Sequence, residues 1–337
     1  MTEDRSARAA VFSAGSWGTA VAKIMADAGS TATVHARRAE IADAINREHR
    51  NPGYFPDVDL PATLTATTDP AAALDGADFL VLSIPAQSLR ESLAAWAPHI
   101  GRETVIVSLM KGIERNTDLR ASEVITQVTG VPPERVAVLS GPNLAREIMA
   151  GQPAAATVAC PDEAAAVRVQ QACHTPYFRP YTSTDVIGCE LGGAVKNVIA
   201  LAVGIASGMS LGHNAQAMLI TRGLAETTRL ATAMGAHPAT LAGLAGLGDL
   251  VATCSSPLSR NRTFGRHLGK GLSVEEATAA TRQTTEGVKS AEAILGLAHA
   301  HGVDMPITDV VTALLNGKVT LDQATAALMQ RPPKPER

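Results

Sequence analysis

Aromatic side chains are scarce in this sequence: two Trp, three Tyr and five Phe among 337 residues. So few rings leave no stacking platforms for bases, and a formal net charge of −3 gives no basic footprint for a phosphate backbone. Nucleic acid is therefore not an expected partner. Cysteine is equally sparse. The four present, Cys160, Cys173, Cys189 and Cys254, make no CxxC pair, which argues against a zinc site or a disulfide framework and fits a reducing, cytoplasmic setting. Long hydrophobic runs are lacking too. The smoothest, Val198 to Met209, is too short to cross a bilayer and reads as a core helix, so no membrane insertion is expected. The N-terminal TEDRSARAA mixes both charges and leads into a strand-like segment, with no signal-peptide pattern. No internal repeat recurs at solenoid periods.

What is present is the composition of a folded, alanine-rich protein, 46% hydrophobic and 18% charged. Its length exceeds the ~250–300 residues at which a single core stops growing, so two domains are expected. Through roughly the first half, short β-like runs alternate with helical stretches. The expected strands are Ala9 to Ser13, Thr31 to His35, Phe79 to Ile84, Thr104 to Leu109, Val136 to Ser140 and Ala155 to Ala159. Several are unbroken apolar runs, as strands covered on both faces require. Strands spaced by helices imply βαβ units in a doubly wound parallel sheet. Beyond Gly188 strand signals fade and helices take over, among them Glu190 to Gly208, Ala217 to Met234, Ser273 to Thr281, Val288 to His301 and Thr308 to Leu315. The fold class is thus α/β plus all-α. A Rossmann-like dinucleotide-binding domain is expected over 1–188 and a helical substrate-binding and catalytic domain over 189–330, joined by the long helix from Cys189. The tail RPPKPER, 331–337, is expected to be disordered. Ligands are expected in the cleft between the domains, beyond the carboxyl ends of the strands.

The stretch VFSAGSWGTA, Val11 to Ala20, reads as strand, turn and helix, with Val21, Ile24, Met25 and Ala28 continuing the helical spacing. It follows the dinucleotide fingerprint G-x-G-x-x-G except that Ser13 stands at the first glycine. Gly15 lets backbone approach a pyrophosphate, Gly18 lets helix and strand pack closely, and the helix N-terminus faces the negative charge. Serine at the first position costs little if its φ is negative and stores ~1–3 kcal/mol if φ is positive. At the end of the second strand NAD-specific domains carry a carboxylate for the ribose hydroxyl. Here TVHARRAE places Arg37 and Arg38, while Glu40 belongs to the following helix. Guanidinium groups suit a 2′-phosphate, so NADPH or NADP is the expected cofactor, with NAD(H) also admitted.

Other runs are more specific: ATTDP, IPAQSLR, KGIE, LSGPNLAREI, IGCELGGAVKNVIALAVGI, ITRGLAE, GLAGLGDLVATC, SRNRTFG and TEGV. With AGSWGTA they make the chain resemble the bacterial NAD(P)-dependent glycerol-3-phosphate dehydrogenases from Ser13 to Ile307. The resemblance implies a two-domain oxidoreductase that interconverts dihydroxyacetone phosphate and sn-glycerol 3-phosphate, the backbone precursor of phospholipids, without a metal. It makes Lys196 the acid/base and Asn197 a substrate contact. It gives Lys111 contacts to substrate and cofactor, and it has Asp249, with Thr253 nearby, hold the lysine and the substrate hydroxyls. Ser259, Arg260 and Asn261 then serve the phosphate, Arg260 also facing the cofactor, while Gly141 and Asn143 meet substrate. Ser16, Trp17, Ala145 and Glu286 join Gly15, Gly18, Arg37 and Arg38 at the cofactor. A homodimer is among the assemblies the resemblance allows. Met110 stands where many relatives carry a smaller residue, and Thr284 where an apolar one is usual.

The residue types suit that chemistry. Reducing a ketone needs a group that stabilises or protonates the developing alkoxide. Lys196 lies in an apolar helix, where desolvation lowers a lysine's pKa and makes it a better proton donor. Gly193, Ala200 and Gly204 near Asn197 are small enough to leave room for a ligand. Asp249 sits in a glycine-rich stretch read as a turn, where an isolated aspartate would serve as cap or turn former. Arg260 can grip phosphate oxygens at two points. GRHLGKGLS lacks P-loop spacing, and His299-x-His301 has no acidic or Cys partner, so neither is read as a site. Two other readings stay open at this point. One is a related two-domain β-hydroxyacid dehydrogenase, which would not need SRN or Lys111. The other is a non-catalytic NADP-binding redox sensor, which would not need Lys196, Asp249 and Arg260.

Overall fold

The computed structural model describes residues 6–281 and 285–330. The tail 331–337 and Thr284 lie outside the described residues. The chain forms two compact units. One takes the residues up to Met110 together with Leu119–Glu190; the other takes Lys111–Asp118 and the chain from Leu191 on. The segment Lys111–Asp118 thus belongs with the helical unit, although the chain on both sides of it belongs with the sheet.

The first unit is built on strands β1 (Arg8–Phe12), β2 (Thr31–His35), β3 (Leu64–Thr67), β4 (Phe79–Leu82), β5 (Val105–Ser108), β6 (Val136–Ser140), β7 (Ala154–Ala159) and β8 (Phe178–Ser183). Its helices are α1 (Ser16–Asp27), α2 (Ala39–Glu48), α3 (Pro70–Leu74), α4 (Leu89–Trp96), α5 (Ala121–Thr129), α6 (Ala145–Met149) and α7 (Glu163–Cys173). The sheet order is β3-β2-β1-β4-β5-β6-β7-β8. The order reverses between β1 and β4, the switch point where open α/β sheets bind ligands. Side chains alternate across the pleat. Val11, Phe79, Val81, Val105 and Val107 therefore enter one core, while Ala10, Phe12, Leu80, Leu82 and Ile106 enter another. Apolar runs are needed on these central strands because both faces are covered.

Two strands escaped the sequence reading. β3 (LTAT) and β8 (FRPYTS) lie at the two edges, alternate buried and exposed residues, and so lack an apolar run. Pro180 within β8 is tolerated because an edge strand has unpaired positions. The sheet is also not wholly parallel, since β7 runs antiparallel to β6. Between them lies only the five-residue α6, whereas a parallel return needs a full crossover connection.

The second unit continues along α8 (Val186–Gly208) into α9 (His213–Ala233), α10 (Pro238–Ala242), α11 (Asp249–Ser255), α12 (Arg260–Gly269), α13 (Val274–Thr281), α14 (Glu286–Ala300), α15 (Pro306–Leu315) and α16 (Leu321–Met329). α8 is longer than its apolar stretch suggested and has the length and composition to cross a membrane, but it is a buried core helix here. Its Gly204 makes room for backbone rather than ligand. A Cβ on Gly204 would run into the Arg262 carbonyl, and one on Gly265 into that of Leu201, so α8 and α12 touch main chain to main chain. The glycines seat the helix that carries Arg260 against the helix that carries Lys196.

Candidate active site

The turn after β1 has the features of a dinucleotide cradle. Ser13 takes φ 136°, the left-handed region that favours glycine, which is why the fingerprint has glycine there. Its hydroxyl accepts the Gly15 N–H at 3.1 Å. A Cβ on Gly18 would overlap the Ser13 carbonyl oxygen, so only glycine lets α1 pack this closely on β1. Gly15 caps α1 without a side-chain hydrogen bond, and the first turn holds no acidic residue, leaving its N–H groups and positive dipole end for an anion. Trp17 Nε1 is buried without an acceptor among the described residues. These features fit a bound pyrophosphate. One support was missed in the sequence. Asn51, fully buried after α2, donates to the Ala14 carbonyl at 2.9 Å and to Thr19 Oγ1 at 2.8 Å, bracing the turn from outside its own motif.

Beyond β2, Arg37 and Arg38 are exposed. Arg38 lies 3.6 Å from Glu40, whereas Arg37 has no hydrogen bond or ion pair among the described residues. Gly141 follows β6 with φ 150°, and a Cβ there would lie 3.0 Å from Ala156 Cα, so the fold itself requires glycine. Asn143 is a stronger pointer to a ligand: both polar atoms of its carboxamide are buried without a partner among the described residues. Ala145 opens α6 and packs against the same core as Trp17. Met110, unusual in the sequence, is accommodated by a core that also holds Phe12, Leu80 and Leu82.

The helical unit gathers the other residues. Lys196, on α8, is 7% exposed and donates to Asp249 Oδ1 and, at 2.7 Å, to Thr253 Oγ1. Lys111 binds the other carboxylate oxygen, Asp249 Oδ2, at 2.6 Å. Burial pushes the Lys196 ammonium down to about 7, with Asp249 opposing and the nearby Lys111 charge assisting. Asp249 is not in a loose turn. A turn of π-helix, Leu244–Gly248, runs directly into α11 with Asp249 as its first residue. π-turns often accompany functional sites because they shift a side chain out of helical register. The glycines of this stretch again admit backbone: Gly246 lies against the Leu241 carbonyl, and Gly192 of α8 against that of Ala245.

The SRN residues divide their work. Ser259 is the N-cap of α12, its hydroxyl accepting the Arg262 N–H at 3.2 Å. Arg260 is exposed at the first position of that helix, with no hydrogen bond or ion pair among the described residues. Its charge reaches Glu286, the first residue of α14. Burial raises the Glu286 carboxyl, Lys289 and Arg260 pull it back, and its Oε2 is buried without a partner among the described residues. Asn261 is buried and bonded to Asn197, whose amide reaches the Lys111 carbonyl at 2.9 Å. His299 and His301 lie exposed at the C-terminal end of α14.

Known proteins resemble the chain throughout. Two family models match it, described as the N-terminus of NAD-dependent glycerol-3-phosphate dehydrogenase over residues 8–166 and its C-terminus over 185–326. It is 62% identical over 330 residues to a glycerol-3-phosphate dehydrogenase (NAD(P)+) of Streptomyces coelicolor, covering 98% of each chain. A protein of the same name from Thermobifida fusca is 62% identical over 331 residues, again covering 98% of each. Among solved structures, a glycerol-3-phosphate dehydrogenase from Coxiella burnetii superposes with TM-score 0.91 at 37% identity, covering 97% of this chain and 99% of that one. With both halves matched and identity sustained end to end, the chain belongs to the NAD-dependent glycerol-3-phosphate dehydrogenase family.

Proposed function

We propose that this protein is an NAD(P)-dependent glycerol-3-phosphate dehydrogenase, interconverting dihydroxyacetone phosphate and sn-glycerol 3-phosphate with Lys196 as its acid/base. The observation that carries the reading is the buried lysine held with Lys111 on the single carboxylate of Asp249. A ketone reductase needs a proton donor at the carbonyl oxygen, and a donor near pKa 7 works in both directions at neutral pH. Bound NAD(P)H supplies the hydride to the carbonyl carbon. The Lys196 ammonium releases its proton to the carbonyl oxygen; in the reverse direction neutral Lys196 takes the hydroxyl proton. Asp249 and Thr253 aim the Lys196 nitrogen, and Lys111 keeps its proton loosely held by like-charge repulsion.

Arg260 and the first-turn N–H groups of α12 bind the phosphate, and Asn197 and Asn143 orient the rest of the substrate. Gly15, Ser16, Trp17 and Gly18 hold the pyrophosphate, with Ala145 and Glu286 as further cofactor contacts. Arg37, unpaired among the described residues, meets the 2′-phosphate, giving preference for NADPH over NADH. Lys196 and Arg260 supply the electrophilic help that a metal would otherwise give. The four free, buried cysteines support a cytoplasmic setting. The test is NADPH oxidation followed with dihydroxyacetone phosphate and with unphosphorylated dihydroxyacetone. Turnover of the phosphate ester alone supports the reading. Equal use of both would remove the phosphate pocket, and no turnover of either would remove the function.

A further inference from the structure

Asn261 sits in the middle of a one-way run of hydrogen bonds. The Gly287 N–H donates to Asn261 Oδ1 at 3.0 Å, Asn261 Nδ2 donates to Asn197 Oδ1 at 2.8 Å, and Asn197 Nδ2 donates to the Lys111 carbonyl at 2.9 Å. The ends set the polarity, because a backbone N–H only donates and a backbone carbonyl only accepts. Flipping either carboxamide alone would set donor against donor at one of its contacts and acceptor against acceptor at the other. Both side chains are buried, at 8% and 5% exposure, so water cannot repair a mismatch. Gly287 completes the arrangement: a Cβ there would lie 2.7 Å from the Asn197 carbonyl, and only glycine brings its N–H this close.

We propose that Asn261 is a positioning residue, which through Asn197 fixes the backbone carbonyl of Lys111 and with it the seat of that lysine on Asp249. The inference rests on the dehydrogenase reading above and deepens it. Asn261 lies beside Arg260 in a motif assigned to phosphate, but its oxygen and one amide proton are already engaged inside the protein. Its contribution is orientation of the lysine cluster more than grip on the substrate.

The substitution Asn261→Asp separates these roles. An ionised Asp at this position still accepts from Gly287 but opposes Asn197 Oδ1 with a lone pair, whereas a protonated one has the shape and donor–acceptor pattern of the original amide. Burial favours the protonated form. The charged groups on the neighbouring elements are Lys196 on α8, Lys111 on its own segment, Asp249 on α11 and Glu286 on α14. Arg260 and Arg262 flank Asn261 on α12, and Glu275 and Glu276 lie on α13, which packs beside it. All are shared with the parent enzyme, but an ionised carboxylate at this position itself raises the Lys196 pKa, so the uncharged Asn261→Ala variant is the reference for their titration.

At saturating dihydroxyacetone phosphate, kcat of the variant should fall by roughly tenfold or more near pH 8, and the deficit should shrink severalfold by about pH 6. Asn261→Ala, unable to relay at any pH, should show no recovery toward pH 6. A loss confined to KM, or an Asp deficit equal at both pH values, overturns the proposal and returns Asn261 to the phosphate. If the Asp variant does not fold, as judged by circular dichroism, Asn261→Ala carries the test through its kcat-against-KM split. Failure of the parent to turn over dihydroxyacetone phosphate would instead overturn the dehydrogenase reading.

Discussion

Lys111 and Lys196 are bound to opposite oxygens of one carboxylate, Lys111 at 2.6 Å from Asp249 Oδ2 and Lys196 on Oδ1. Burial, with the Lys196 side chain only 9% exposed, brings its ammonium down to about 7; the Lys111 charge acts in the same direction and Asp249 against it.

The pH dependence follows from that value. Carbonyl reduction needs protonated Lys196, so its kcat should fall as pH rises through about 7, while alcohol oxidation needs the neutral amine and should rise through the same range. Lys196→Ala should lose ~10²–10⁴ in kcat and keep its NADPH affinity. Steady-state rates in both directions and a fluorescence titration check both statements. A variant with near-normal kcat would take Lys196 out of the acid/base role.

Asp249→Asn removes the carboxylate that the two lysines share, and Asp249 is the group that holds the Lys196 pKa up. The descending limb of the reduction profile should therefore move to lower pH, with kcat at neutral pH reduced. A shift toward higher pH would show that Asp249 acts on another group.

Arg260→Ala should raise KM for dihydroxyacetone phosphate strongly, because a bound phosphate that loses its charged partner is weakened by ~2–5 kcal/mol. NADPH binding provides the comparison. An unchanged KM would place the phosphate elsewhere.

For the cofactor, Arg37→Ala should weaken NADPH binding by roughly tenfold to a hundredfold, the worth of a charged hydrogen bond, and leave NADH almost unaffected. Arg38→Ala should have the smaller effect, since Arg38 already faces Glu40. Equal losses for both cofactors would mean that the arginines serve the adenosine or the fold.

Ser13 at φ 136° carries strain that glycine would not. Ser13→Gly should raise the melting temperature, relieving ~1–3 kcal/mol, while changing NADPH affinity by less than about tenfold. Gly18→Ala should do the reverse, because its Cβ would meet the Ser13 carbonyl, which is backbone and cannot swing away. Calorimetry with and without NADPH distinguishes the two. A destabilised Ser13→Gly would show that its hydroxyl contact with Gly15 outweighs the strain.

Much of this protein is determined locally. The apolar runs Phe79–Leu82 and Val136–Ser140 declare central strands because a strand covered on both faces has no polar side to display. The turn at Gly15 and Gly18 is legible because few residues tolerate the close approach that Gly18 makes to the Ser13 carbonyl. Tertiary structure decided what depends on neighbours remote in sequence. The edge strands β3 and β8 carry only alternating patterns and are recognised once their partners are in place. Gly204 reads as space for a ligand but is filled by the backbone of another segment, at Arg262. Asn51 shows no local signal and the partner of Asn261 none, because a hydrogen bond spanning 32 or 64 residues depends on where the chain returns. That the Lys196 pKa is lowered could be read from its apolar helix. How far could not, because that is set by the burial of the site and by a carboxylate 53 residues away that it shares with Lys111.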